Sequence, residues 1–176
     1  RESKIKAIAL IAASSISGDR LILEQQQTTF NETDESDAVQ QEKIELQQRI
    51  HRAVLDEGNW EGISPAVRSQ ADTPWFRSLL AFDPADIVRR VRQPLLVIQG
   101  ELDQQTLSYH ADHLESLAQA RTREESSVEV AKFDGVNHLL VPATTGSMSE
   151  YASLADSQIT PRVAETIADW IGRTLP

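Results

Sequence analysis

A chain of 176 residues with a formal net charge of -10 can bury one real hydrophobic core but not two comfortable ones. With 40% apolar and 25% charged residues it has an ordinary globular composition, and its acidic balance without a basic block argues against a nucleic-acid partner. The absence of cysteine excludes disulfides and thiolate metal sites, and no apolar run is long enough to span a membrane.

The compartment stays open between cytoplasmic and exported. "RESKIKAIALIAASS" imitates the start of a signal peptide, but its apolar part is short and β-branched, with charge interleaved at its start. Ile5 to Ala13 therefore reads as a strand buried on both faces of a parallel sheet. Ser14, Ser15 and Ser17 follow it and read as a polar turn rather than as site-facing hydroxyls. A short helix is expected from Asp19, its cap, to Phe30. From Asp34 to about Glu57, Val39, Leu46, Ile50, Ala53 and Val54 recur at helical spacing, with Gly58 as the stop. Pro65 and Pro74 mark first turns or boundaries. Trp75, Phe76, Leu79 and Leu80 fit either a substrate-pocket wall or ordinary packing. "DPADIVRRV" predicts a short helix opening at Pro84.

The pattern changes at Gln93. "QPLLVIQGELD" predicts a second buried strand ending in glycine and an acid. In "TLSYHADHLESLAQA", Leu107, His110, Ala111, Leu114 and Leu117 share one helical face. His110 and His113, with Asp112 and Glu115 nearby, imitate metal-ligand spacing, but no third convergent ligand is visible and no metal is expected. "SVEVAKFDG" predicts a third strand. "FDGVNHLLVPATTG" then puts His138 in a loop that Asn137 can hold through its side chain. Thr160 and Pro161 open a last helix with Val163, Ile167, Trp170, Ile171 and Leu175 on one face.

Strands alternating with helices predict an α/β fold of about three parallel strands with flanking helices and a helical insertion. Three segments follow: a strand and loop (1–18), a helical insert (19–92), and a core with the acid and histidine loops (93–176). Ligands of open α/β sheets sit beyond the carboxyl ends of the strands. Asp103 and His138 occupy two such ends. A carboxylate bonded to one imidazole nitrogen fixes the tautomer and leaves the other free to take a proton from a hydroxyl. The plainer alternatives are Asp103 as a helix cap from Thr106 onward and His138 satisfied by a backbone carbonyl.

Several segments resemble the α/β-hydrolase superfamily, and within it bacterial serine carboxylesterases. "FDPADIVRRVRQPLLVIQGELDQQT" is similar to the segment that enters the penultimate core strand and leaves it on the catalytic acid. "VAKFDGVNHLL" resembles the last strand and the catalytic histidine, and "VPATTGSMSEYASLADSQITPRVAETIADWI" the tail that follows, with its Glu150-Tyr151 pair. "PWFRSLLAFDP" also resembles that branch. The resemblance implies Asp103 as triad acid, His138 as general base, and Trp75, Phe76, Leu79, Leu80 and Leu139 as pocket candidates. It implies no cofactor and no metal, and a small-molecule ester as substrate. It assigns no chemistry to Glu150 or Tyr151.

The nucleophile turn of that family, Gly-x-Ser-x-Gly, is absent; Gly58 and Gly62 have its spacing, but Trp60 lies between them. The expectation is therefore the C-terminal portion of the fold, inactive alone. The strand Ile5–Ala13 should pair with the missing N-terminal half or with a second copy. Two other readings are a non-catalytic α/β interaction domain on the same scaffold and a related serine peptidase or thioesterase.

Overall fold

The computed structural model describes residues 4–56, 58–121, 127–154 and 158–175. They form two compact units, residues 16–83 and the remainder of the chain.

The second of these is built on a three-stranded parallel sheet in the order β1 (Ile8–Ile11), β2 (Leu95–Gly100), β3 (Val128–Phe133). Every residue of the central strand β2 is buried, as its unbroken apolar run requires. Its side chains alternate between faces. Leu95 and Val97 pack with Val88 of α5 (Pro84–Val88) and with Ala111, Leu114 and Leu117 of α6 (Tyr109–Gln119). Leu96 and Ile98 pack on the other face with Val163 and Trp170 of α7 (Pro161–Thr174). Each such side chain taken from water stabilises the fold by about 1.5–3 kcal/mol. The expected helix from Pro84 forms and packs with the sheet through Val88.

The first strand is neither nine residues long nor buried on both faces. It spans Ile8–Ile11 at the sheet edge, where Ile8 and Leu10 pack inward while Ala9 and Ile11 are exposed. As an edge strand it pairs with β2 alone, and Ile8 and Leu10 pack with the cluster of Leu95 and Val97. In α7 the expected stripe is narrower, because Ile171 and Leu175 are exposed while Val163 and Trp170 are buried.

The helical unit holds α1 (Gly18–Phe30), α2 (Asp37–Leu55), α3 (Pro65–Ala71) and α4 (Pro74–Ala81). Its core joins Ile50, Ala53 and Val54 of α2 to Ile63, Ala71 and Leu80. Val39, expected on the α2 stripe, is exposed. The end expected for that helix, Glu57, lies outside the described residues. Pro65 and Pro74 occupy first turns, and the hydroxyls of Ser64 and Thr73 accept from the amides of Val67 and Phe76. The N-cap of α1 is Ser17, not Asp19; Asp19 sits in the first turn and its carboxylate accepts from the Ser17 hydroxyl. Among the described residues no helix is long and apolar enough to cross a membrane.

Candidate functional site

Asp103 lies in the turn that leaves β2 and is 1% exposed. Its Oδ1 accepts from the amides of Gln105 (2.8 Å) and Thr106 (2.7 Å). Its Oδ2 lies 2.9 Å from Nε2 of Gln99 and 2.9 Å from Nδ1 of His138. All four partners donate, the set a carboxylate accepts. The turn role and the histidine role thus belong to different oxygens of one group. Asp103 does not cap a helix that begins at Thr106, because α6 begins at Tyr109 with Ser108 as its N-cap.

His138 is supplied by the loop after β3. Asn137, fully buried, folds that loop: its Oδ1 accepts from the amides of Leu139 (3.0 Å) and Val141 (3.3 Å). A bridge between Val136 and Pro142 closes it into a tight return, with Leu140 in the left-handed region at φ 60°. The acid and histidine loops meet through backbone. The amide of Leu102 donates to the Val136 carbonyl at 2.9 Å. A side chain on Gly100 would put its Cβ 2.4 Å from that same oxygen, so only glycine permits the approach.

The His138 side chain keeps 28% of its surface exposed while its carboxylate partner is buried. Since Asp103 can only accept, Nδ1 carries the proton and Nε2 is the basic nitrogen. Among the described residues Nε2 has no hydrogen-bond partner. Such an imidazole can take a proton from a hydroxyl brought to it.

Gln99 escaped the sequence reading. It is fully buried, and its Nε2 also donates to the Thr106 carbonyl at 2.7 Å, which ties the turn to the strand. The signal was an amide inside an otherwise apolar strand, where a buried polar group needs a defined partner.

The Glu150-Tyr151 pair lies in a 3-10 helix, Met148–Ser153. The Glu150 carboxylate accepts from the amides of Thr144, Thr145 and Gly146 and from the Thr145 hydroxyl. These donors, the Thr144 amide first, hold its pKa at about 2. The Tyr151 hydroxyl accepts from Nε2 of Gln105 at 2.9 Å. Burial pushes the Tyr151 phenol above its usual range; the Gln105 hydrogen bond opposes the shift and the Asp103 charge adds to it.

The other candidates separate. Leu139 follows the histidine and is exposed. In the helical unit, Trp75 is 72% exposed and stacks on Phe76, and both line a cleft with Ile50, Val67 and Ala71. Leu79 is half-buried. Leu80 is a packing residue rather than a pocket wall, because it is buried in the core of that unit.

Ser15 is buried rather than part of an open polar turn. Its hydroxyl lies 2.8 Å from Nδ1 of His110 and 2.9 Å from Nδ1 of His113. The Ser15 amide also donates to Nδ1 of His110, so that nitrogen accepts and the neutral ring carries its proton on Nε2. The cluster ties the end of β1 to α6, and a hydroxyl this deeply buried is out of reach of a substrate. Among the described residues no group of three metal-ligating side chains converges. No family model and no curated protein sequence matches this chain.

Proposed function

We propose that this chain is the acid-and-histidine portion of a serine ester hydrolase of the α/β-hydrolase type, its helical unit forming the insertion of that fold. The observation that carries the reading is the 2.9 Å contact between Oδ2 of buried Asp103 and Nδ1 of part-exposed His138, at the carboxyl ends of adjacent parallel strands. The segments that resemble the hydrolases support it. Asp103 holds the proton on Nδ1. Nε2 takes the proton of a serine hydroxyl as its oxygen bonds to the ester carbonyl carbon, and returns it to the departing alkoxide. Nε2 then takes a proton from water as the water oxygen bonds to the acyl carbon, and gives it to the departing serine oxygen, which releases the acid and restores the serine hydroxyl. No Gly-x-Ser-x-Gly turn occurs in these 176 residues, so the serine and the oxyanion donors belong to sequence outside them.

The same reading accounts for β1. Its far edge has no strand partner among the described residues, and Ile5 and Ile11 are exposed. A strand of the remaining portion, or of a second copy, pairs there in this account. Gel filtration of the 176-residue chain should show self-association; a stable monomer argues against it.

The catalytic reading is tested on the natural product that contains this chain. A fluorophosphonate probe should label one serine, and His138→Ala should reduce labelling and short-chain ester turnover by roughly 10³-fold or more. Labelling and turnover that survive His138→Ala would remove His138 as the base. Absence of any labelled serine favours a non-catalytic interaction domain, and amide or thioester substrates preferred over esters would reassign the substrate class.

A further inference from the structure

The Glu150-Tyr151 pair has no role in the reaction as written, yet both residues bear on the acid loop. Glu150 gathers three consecutive amides, Thr144 to Gly146, onto one carboxylate. That sets the turn in which Gly146 adopts φ +77° and packs against the acid loop; a Cβ there would lie 1.7 Å from the carbonyl oxygen of Leu102. Leu102 immediately precedes Asp103. On the other side, Tyr151 accepts from the side chain of Gln105, and the backbone N–H of Gln105 donates to Oδ1 of Asp103 at 2.8 Å. One short helix therefore reaches the residue before the acid through Gly146, which Glu150 holds, and the second residue after it through Tyr151.

Resting on the reading of Asp103 as the triad acid, we propose that Glu150 and Tyr151 are positioning residues that clamp its turn, so that Oδ1 stays on the backbone amides and Oδ2 stays aimed at His138. The carboxylate has one rotation that matters. If the Gln105 amide drifts, Oδ1 follows it and Oδ2 swings off the imidazole. A hydrogen bond of this kind weakens steeply with misalignment, so a small shift of the turn is felt at Nδ1. Catalytic groups need support that locks their geometry to within about 0.5 Å, and these two residues supply it from outside the reacting atoms.

The test needs no substrate and uses the 176-residue chain. The imidazole Nδ1–H of His138 is followed by proton NMR, assigned by its loss in His138→Gln and its displacement in Asp103→Asn. In Tyr151→Phe its exchange with water should speed up by roughly threefold to tenfold, the range one net hydrogen bond supplies, with the melting temperature close to that of the parent. Glu150→Gln should act in the same direction. If Glu150→Gln unfolds the turn outright, Tyr151→Phe decides alone. Unchanged exchange in Tyr151→Phe overturns the clamp while leaving the Asp103–His138 pair intact. Equal acceleration of amide exchange throughout the sheet, with a lower melting temperature, also overturns it, since that is general loosening. A parent spectrum with no Asp103-sensitive resonance removes the pair, and with it both the clamp and the proposed function.

Discussion

The helical unit and the sheet unit bury different kinds of groups. Among the described residues, the buried side chains of the helical unit are apolar apart from His51, whose Nε2 pairs with Nε2 of Gln47. The sheet unit buries Ser15, Gln99, Asp103, Thr106, His110, Asn137 and Ser147. Four of these seven, Ser15, Asp103, Thr106 and Asn137, follow a strand within a few residues. A buried polar group left unpaired costs about 1–3 kcal/mol; Gln99 Oε1 and Asn137 Nδ2 have no partner among the described residues, whereas Gln99 Nε2, both Asp103 oxygens and Asn137 Oδ1 are paired. Packing alone explains the helical unit. The sheet unit carries an arrangement that packing does not require, and it lies where open α/β sheets place their chemistry.

The contrast can be broken from either side. The largest change is expected from Leu80→Ala in the helical unit, a loss of about 2–5 kcal/mol of that unit's stability measured by urea denaturation. A loss below about 1 kcal/mol would mean that its core is not the packed apolar cluster described. Asp103→Asn should cost the sheet unit about 1–3 kcal/mol despite conserving shape. The amide must turn its own N–H groups either toward the two backbone amides or toward Gln99 and His138, and both choices set donor against donor. A neutral result would show that the buried polar cluster is not held by this carboxylate.

A smaller effect separates the units by pH. Burial lowers the pKa of His51 from its usual 6.5, with the Asp19 charge opposing. The unfolded chain then binds the proton more readily, so this residue's contribution to the helical unit is intact above about pH 6.5 and declines as pH falls below it. His51→Gln should flatten that part of the stability profile. The smallest change is at Glu150. Its folded pKa, about 2, lies below the ordinary 4.5, so its hold on the 144–146 turn is complete above 4.5 and is lost between about 4.5 and about 2. Amide exchange at Thr144, Thr145 and Gly146 should rise in that window and stay flat in Glu150→Gln.

The sequence made the local features legible. Pro65 and Pro74 announced helix starts, the run "PLLVIQG" a fully buried strand, and the residues on either side of it a parallel α/β order. Asp103 and His138 were visible because each follows a strand of the expected parallel sheet within a segment that resembles the hydrolases, and the structure brings them within hydrogen-bond distance. What failed depended on neighbours. An apolar run such as Ile5–Ala13 cannot reveal that it lies at an edge, and the Ile171 face of the last helix has no local sign of being uncovered. The bridge from Ser15 to His110 and His113 spans 95 and 98 positions, beyond any periodicity. Three of the four donors on Glu150 are backbone amides, which leave no trace in residue type.

The central claim is that the buried polarity of the sheet unit holds one imidazole as a base with its proton on the inner nitrogen. The ¹⁵N NMR spectrum of neutral His138 in this chain tests it directly. The account predicts a protonated Nδ1 and an unprotonated Nε2, with the Nδ1 resonance shifting in Asp103→Asn. A neutral ring protonated on Nε2, indifferent to Asp103, would contradict it.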